Sequence, residues 1–293
     1  MFYTSVNEPD TNLGAVRVAR PADPRWERWD KGGVVVRAPG GEGLRVFRDP
    51  TVIRDGHVWR MIVGAGYLDG TPAVLTYHSL DLENWTFDGI LASSRTSPTG
   101  TVPVRQAWEC PQLIAFGDRH VLVVSTWAGG RTHDVLAGIG RYEGGRMEVE
   151  RWQRLTYGSG HYAATAFTDA DGQECLMFWI RGVADAGGAW TGALSVPYRV
   201  SLRDGGVHLE PHPAVGSVLD SSAGAGRLAG LEREGVVVRL RAGAMTVRVP
   251  GHEVVAPGTD EPVQVLVDGP VLEVCTGTAV IGLPAPVPGE PER

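Results

Sequence analysis

Three stretches of this chain repeat one local grammar, and that repeat constrains the fold more than any other feature. Each opens on an acidic or aromatic residue, runs as a short apolar strand, crosses a tight turn and returns as a second apolar strand. The first leads from Asp49 through Thr51-Val52-Ile53 and the turn Arg54-Asp55-Gly56-His57 to Val58-Trp59-Arg60-Met61-Ile62-Val63. The second leads from Glu109 through Gln112-Leu113-Ile114 and Phe116-Gly117-Asp118-Arg119 to His120-Val121-Leu122-Val123-Val124. The third leads from Tyr162 through Ala163-Ala164-Thr165-Ala166-Phe167 and Asp169-Ala170-Asp171-Gly172 to Cys175-Leu176-Met177-Phe178-Trp179-Ile180. Asp-Gly and Gly-Asp pairs between apolar runs are hairpin signals. The starts lie 60 and 53 residues apart, and a period of roughly 40 to 60 residues holding several strands is the mark of propeller blades.

The remaining sequence supports an all-β reading. Ala73 to His78 reads as a third strand, and Ser79 to Thr86 as a turn whose Trp85 opens an outer fourth strand. Ala22 to Trp29 repeats that outer-strand pattern one unit earlier. No helical period persists beyond about two turns, and 40 glycines with 20 prolines supply the turns that many short strands need. After residue 200 the texture changes. Pro211 to Ala229 reads as a linker, and short strands follow at Gly235–Leu240, Ala244–Val249, Pro262–Val267, Val271–Cys275 and Ala279–Leu283, as in a small β-sandwich. The expected organisation is therefore a propeller over residues 1–200, then linker, sandwich and a disordered Pro-rich tail over 201–293.

Charge and composition exclude several classes. Acidic residues outnumber basic ones 34 to 27, which disfavours a nucleic-acid binder, since phosphate contacts need a basic face. The longest apolar runs are strand-sized, so no membrane span is expected. The N-terminus has neither a basic region nor an apolar core, which for the start as written implies a cytoplasmic protein without an export signal. Cys110, Cys175 and Cys275 show no metal-ligand spacing and read as buried free thiols in a reduced compartment. His57, His78, His120, His133 and His161 are dispersed over separate strands and turns, so they read as turn or rim residues and no metal is expected. Gly64-Ala65-Gly66 and Gly158-Ser159-Gly160 lack the strand-to-helix context of a phosphate loop and read as strand ends, so no cofactor is expected.

Two acidic residues stand at the openings of repeats. Asp49 lies in Val46-Phe47-Arg48-Asp49-Pro50 and Glu109 in Ala107-Trp108-Glu109-Cys110-Pro111. The innermost strands of a propeller converge at one mouth, and paired carboxylates on separate strands are the hardware of glycoside hydrolysis. A Trp beside Glu109 can desolvate it and raise its pKa, as suits a general acid. The same residues also fit a plain structural role, capping their strands or pairing with Arg48 or Arg105 on the rim.

These residues give the chain a family likeness. It resembles glycoside hydrolase family 32, the invertase, levanase and inulinase group. Phe47-Arg48-Asp49-Pro50 is similar to that family's R-D-P motif, and Trp108-Glu109-Cys110-Pro111 to its E-C motif. Tyr162-Ala163-Ala164 followed by Phe178-Trp179 resembles the fifth-blade strand, and Trp190 to Pro197 the W-x-G-x-L-S-x-P segment entering the C-terminal sandwich. Val267 to Val274 resembles the sandwich's V-D-x-S-x-x-E-V strand. The resemblance implies a five-bladed propeller followed by a β-sandwich, and retaining cleavage of fructosyl linkages in sucrose or fructans. By it Glu109 is the general acid/base and Asp49 the carboxylate that holds sugar hydroxyls and stabilises the oxocarbenium-like transition state. Arg48, Trp108, Cys110 and Tyr162 line the substrate, with Trp127 and Trp190 as further aromatic candidates near the pocket.

The departures from the family matter as much. Its nucleophile is the Asp of a W-x-N-D-P-N motif in the first blade, whereas Phe2-Tyr3-Thr4 matches a second-blade strand, so the N-terminal blade is expected to be missing and no nucleophile is assigned. Asn7-Glu8-Pro9-Asp10 follows that strand, lacks the Trp and reads as a turn. Tyr157 and Tyr198 stand where the family has Asp and Arg. Two other readings compete: a non-catalytic fructan-binding propeller, and a related arabinan- or xylan-type propeller glycosidase.

Overall fold

A computed structural model describes residues 1–6, 10–41, 43–97, 99–184, 187–218, 220–222, 231–233, 236–241, 243–259 and 262–284. Asn7-Glu8-Pro9, residues 219 and 223–229 of the expected linker and residues 285–293 of the expected tail lie outside that set. Apart from one 3-10 turn at Pro213–Val218, the regular elements of the described residues are β-strands. The chain divides into two compact units, Met1–Thr132 with Leu136–Trp152, and His133–Val135 with Gln153–Arg293.

The first unit is a series of antiparallel sheets. Strands β1 (Phe2–Ser5), β2 (Ala15–Pro21) and β3 (Trp29–Arg37) form a three-stranded sheet in that order. Strands β4 (Leu44–Asp55), β5 (Val58–Tyr67), β6 (Pro72–Ser79) and β7 (Thr86–Ser93) form the next. Strands β8 (Ala107–Phe116), β9 (Arg119–Ala128), β10 (Arg131–Glu143) and β11 (Arg146–Arg154) form the third. Within each sheet consecutive strands pair, so every connection inside a sheet is a hairpin, and each four-stranded sheet has the meander of a propeller blade. The first hairpin of the expected repeat forms, turning at Asp55-Gly56-His57-Val58, one residue later than the turn read from the sequence.

Neighbouring sheets pack through their apolar faces. Phe47, Met61, Val63, Leu75 and Tyr77 join Val16 and Val36 in one core, and Ile62, Val74, Leu122, Val124 and Leu136 join Trp108 and Trp152 in another. Each such aliphatic side chain contributes about 1.5–3 kcal/mol on leaving water. The close approach of β5 to β8 requires glycine. A Cβ at Gly64 would lie 2.5 Å from the Trp108 carbonyl oxygen, and one at Gly66 2.6 Å from that of Gln106. The segment read as strand-end glycine lies in the last four residues of β5, and its smallness lets one sheet seat on the backbone of the next.

The inner strands share an irregularity that the sequence repeat does not announce. β4 carries one extra residue between Arg48 and Pro50, with Asp49 at φ 62°. β8 carries one between Glu109 and Gln112, with Cys110 at φ 48°. The same bulge recurs between Tyr162 and Thr165 in the second unit, with Ala163 at φ 47°. The equivalent positions are therefore Asp49, Cys110 and Ala163, so the residue matching Glu109 is Arg48 and not Asp49. The expected register, which set Asp49 against Glu109, is off by one in the first repeat. None of the three left-handed residues is a glycine, and left-handed backbone costs an L-residue about 1–2 kcal/mol.

The second unit begins with β12 (Thr156–Tyr157) and a further sheet of β13 (His161–Thr168), β14 (Glu174–Ala184), β15 (Thr191–Leu194), β16 (Tyr198–Arg203) and β17 (Gly206–Pro211). Its main path is β13-β14-β16-β17, with β15 paired to β14. The expected domain boundary at residue 200 falls inside β16. Beyond it lie β18 (Asp220–Ser222), β19 (Leu231–Arg233), β20 (Val236–Arg241), β21 (Ala244–Val249), β22 (His252–Pro257), β23 (Val263–Asp268), β24 (Val271–Cys275) and β25 (Val280–Pro284). They form two sheets, β12-β25-β24-β23-β18 and β19-β20-β21-β22. Val238, Met245, Val247 and Val249 from one sheet share a core with Val265, Leu272, Val274, Ile281 and Leu283 from the other, which makes the pair a sandwich. The five sandwich strands read from the sequence each lie within a residue of a strand. β18, β19 and β22 are additional, β18 inside the segment read as linker.

Two polar clusters anchor this unit. His161, read as a turn or rim residue, is fully buried, and its Nε2 lies 3.0 Å from Glu273 Oε2. The Tyr198 hydroxyl donates to the same oxygen at 2.7 Å, and the Val196 N–H to Oε1 at 2.9 Å. At the β13–β14 turn, Asp169 accepts the Gln173 N–H, both Nε–H and Nη2–H of Arg199, and His212 Nε2–H. His212 Nδ1 accepts the Ala214 N–H, so Nε2 carries the proton.

Two outcomes follow. Ala163→Gly removes the left-handed penalty but adds freedom to the unfolded chain, so a net stabilisation of about 0.5–1 kcal/mol is expected in urea denaturation; a loss of stability would show that the Ala163 methyl packs usefully. The Gln173 N–H, the largest influence, and then Arg199 and His212 outweigh burial and hold Asp169 from 3.8 down to about 2. A carboxyl depressed on folding stabilises above its unfolded value and loses that stabilisation as pH falls through its folded value. Asp169→Asn should thus cost more stability at pH 5 than at pH 2, measured by denaturant titration at both.

Candidate active site

In a regular strand consecutive side chains point to opposite faces. The extra residue at each inner-strand bulge breaks that rule, and four chemically active side chains meet as a result. Arg48 and Asp49 come from β4, and Glu109 and Cys110 from β8. Arg48 Nε lies 3.5 Å from Asp49 Oδ1, and Arg48 Nη1 lies 3.6 Å from Glu109 Oε1. The Cys110 N–H donates to Asp49 Oδ2 at 3.2 Å, and the Cys110 thiol sits 3.5 Å from the same oxygen. One guanidinium therefore bridges two carboxylates, and the backbone of one bulge is bonded to the side chain of the other.

The neighbouring groups fix this arrangement. The Asp49 N–H, turned aside by its left-handed φ, donates to Thr4 Oγ1 of β1 at 2.7 Å. Gln112, beyond the second bulge, donates through Nε2 to Thr51 Oγ1 at 3.0 Å and to the Pro111 carbonyl at 2.8 Å. Phe47 is tied to the β1–β2 connection, its N–H donating to the Asn12 carbonyl and its carbonyl accepting the Gly14 N–H.

Exposure grades across the cluster. The Glu109 side chain is only 8% exposed, against 24% for Asp49 and 32% for Arg48, so the glutamate is recessed beneath groups that reach solvent. Burial opposes the charge on Arg48, but the carboxylates of Asp49 and Glu109 outweigh it and raise its pKa further. Burial, then the charges of Asp49 and Glu109, push the Cys110 thiol well above its ordinary range. Cys110 is therefore a neutral donor here, half-buried at the cluster, where the sequence suggested a fully buried thiol.

The ion pairs with Arg48 that a structural role would require are present. They hold the two carboxylates on one side of one cation, with the buried Arg48 Nε facing Asp49 Oδ1. The cluster thus has a bridging cation, a recessed carboxyl and a more open carboxylate, the set needed to grip hydroxyl groups and exchange a proton with one oxygen.

Other expected site residues are placed differently. Trp108 is fully buried, its indole N–H donates to the Val104 carbonyl, and its ring packs 4.9 Å from Trp152. It directly precedes Glu109 in regular strand, so ring and carboxylate point to opposite faces. The ring can neither line a pocket with Glu109 nor cover its carboxyl, and Trp108 belongs to the core. Tyr162 lies in the second unit, 2% exposed, with the Arg181 guanidinium 4.7 Å above its ring. Trp127 carries the Arg45 guanidinium at 5.6 Å, and Trp190 is 43% exposed in the second unit. Asp10 accepts the Asn12 N–H, as a turn residue does. The sequence did not single out Thr4 or Gln112 as supports of the cluster; a hydroxyl in the strand beside a bulge is a signal only once register is known.

Asp169, Cys175 and His212 place potential ligand atoms within 4.8 Å of one another. Arg199 already supplies the positive charge there, and both ring nitrogens of His212 are engaged. The donor set is that of a salt-bridged turn.

Thr4→Val keeps shape but leaves the Asp49 N–H without its acceptor. A loss of about 1–3 kcal/mol is expected in urea denaturation, with Thr4→Ser close to the parent; equal stability of the Val and Ser variants would show that the hydroxyl does not hold the bulge.

Comparison with known proteins places this geometry. The family model described as Glycosyl hydrolases family 32 N-terminal domain matches residues 1–213. The chain is similar to the sucrose-6-phosphate hydrolase of Escherichia coli, 31% identical over 161 residues, which are 52% of this chain and 32% of that protein. It is also similar to the raffinose invertase of Escherichia coli, 29% identical over 191 residues, 61% of this chain and 38% of that protein. The chain spans about a third of the length of these curated relatives. Among solved structures it resembles the Bombyx mori GH32 beta-fructofuranosidase BmSUC1, with a TM-score of 0.74 at 19% identity over 98% of this chain and 72% of that one. It resembles the sucrose-6-phosphate hydrolase from Lactobacillus gasseri likewise, with a TM-score of 0.75 at 16% identity over 98% and 70%. The blade-like sheets, the sandwich and the paired inner-strand motifs are thus those of a known lineage: the chain belongs to glycoside hydrolase family 32.

Proposed function

We propose that this chain carries part of the active site of a β-fructofuranosidase-type glycoside hydrolase acting on sucrose or fructans. The observation that carries this reading is the convergence of Arg48, Asp49, Glu109 and Cys110 through two adjacent bulges. The relatives' names, sucrose-6-phosphate hydrolase, raffinose invertase and beta-fructofuranosidase, support the substrate class.

In this reading Glu109 is the general acid/base. Its carboxyl donates a proton to the glycosidic oxygen as the bond to the fructosyl carbon breaks, and as carboxylate it later takes a proton from the attacking water. Asp49, the more exposed carboxylate, accepts hydrogen bonds from sugar hydroxyls and favours the positive charge that develops on the ring. Arg48 orients both carboxylates. The neutral Cys110 thiol fills the space beside Asp49. The retaining route also needs a nucleophilic carboxylate, and no residue of Met1–Arg293 is assigned that role. For the 293-residue chain by itself, no fructose release from sucrose, levan or inulin is expected.

The deciding experiment uses the intact gene product. Glu109→Gln keeps shape but removes the transferable proton, so turnover on sucrose should fall at least about a hundredfold, with a much smaller loss on a fructoside whose leaving group needs no protonation. Asp49→Ala should lower kcat more than it raises KM. Unchanged sucrose turnover in Glu109→Gln overturns the assignment. Unchanged kinetics in Asp49→Ala with a lower melting temperature leaves Asp49 a strand-capping residue only.

A further inference from the structure

The β2–β3 connection is a built turn that presents two tryptophans. Asp23 organises it: its Oδ1 accepts the Arg25 N–H at 2.9 Å and the Glu27 N–H at 3.3 Å, and its Oδ2 accepts the Arg28 N–H at 2.8 Å. Trp26 is held at φ 62° with 67% of its surface exposed. The Trp29 indole N–H donates to the Trp26 carbonyl at 2.9 Å, and the two rings meet edge to face at 5.9 Å. A left-handed conformation is an outlier for a bulky residue, so the turn holds this side chain outward at a cost in strain.

The next sheet carries a related turn, two residues shorter between its aspartate and the tryptophan that closes it, that presents nothing. At the β6–β7 connection Asp81 accepts the Glu83 and Asn84 N–H groups, Leu82 takes φ 67°, and the Trp85 indole N–H donates to the Leu82 carbonyl. There the left-handed residue is a half-buried leucine, and Trp85 packs edge to face on Phe2 at 5.6 Å. The left-handed residue and the indole-to-carbonyl bond that the two turns share therefore need neither an indole at the left-handed position nor an exposed partner for the second Trp. The β2–β3 turn has both.

We infer that Trp26 and Trp29 form an accessory carbohydrate-binding platform, separate from the Asp49–Glu109 cluster, that stacks on a neutral polysaccharide chain. Two rigid rings set edge to face leave a flat indole face open, the surface on which the C–H side of a sugar ring rests. The rim selects for a neutral, hydroxyl-rich ligand. Its cations each have a carboxylate: Arg28 has Asp23 at 3.5 Å, Arg25 has Glu27 at 4.0 Å and Arg20 has Glu83 at 2.9 Å. Such pairs keep donors and acceptors available while carrying no net charge, which suits a polysaccharide and offers nothing to a polyanion. The inference rests on the proposed function only for the choice of levan and inulin as probes.

Affinity electrophoresis in gels cast with levan or inulin tests it, using the intact gene product, Trp26→Ala and Trp26→Leu, the last borrowing the residue that the β6–β7 turn uses at the same φ. Retardation of the parent should be lost or weakened up to about tenfold in both variants, the scale of one aromatic contact, with sucrose hydrolysis unchanged. Glu109→Gln should be retarded like the parent, so loss of catalysis and loss of the platform are read separately. Equal retardation of Trp26→Leu and parent on both polymers overturns the inference. So does a finding that the parent self-associates in sedimentation and Trp26→Leu does not, because the rings would then be a contact between copies.

Discussion

The architecture of the candidate site depends on one backbone constraint, a residue inserted into the inner strand with a left-handed φ. A strand of regular pleat can offer a ligand every second side chain. With Asp49 and Cys110 turned out of the pleat, two consecutive side chains from each strand serve the same volume, and four groups fit where two would. The rest of the first unit is arranged to hold those bulges. Thr4 takes the N–H that the first one frees, Asp49 takes the N–H freed by the second, and Gln112 ties the second strand back to the first. Gly64 and Gly66 allow the strands that carry these groups to come within reach.

The same constraint explains what the sequence disclosed and what it hid. The repeat, the hairpins and the acidic pair were legible because apolar alternation and Asp-Gly turns leave marks on the residues themselves. The register between repeats was not, because the inserted residue is Asp in one strand, Cys in the next and Ala in the third, a set with no shared chemistry. Reading the repeat from Asp49 to Glu109 aligned a bulge residue with its neighbour. Trp108 was misplaced for a related reason. Adjacency in sequence suggested adjacency in space, whereas strand alternation sends ring and carboxylate apart.

Burial of polar side chains was the other blind spot. His161 carries no mark that separates it from a rim histidine, and its partner Glu273 lies 112 residues away. A polar residue enters a core only where its hydrogen bonds are met, and those partners are supplied by the fold. The strands missed at β18, β19 and β22 are short or sit among Gly, Pro and Ala residues, where periodicity has too few positions to register. β12, two residues long, joins a sheet only by pairing with β25 from the far end of the chain.

That buried triad has a bearing on how this unit can be divided. The family match ends at residue 213, which invites treating everything beyond as a detachable module. Yet Glu273, on the sandwich side of that limit, accepts from Tyr198 and from the Val196 N–H and sits beside His161, all on the other side. A chain ended at 213 would leave a tyrosine hydroxyl, an imidazole and a backbone amide without the carboxylate they share. The boundary drawn by sequence comparison is a boundary of ancestry, and heredity and cooperative folding here part company.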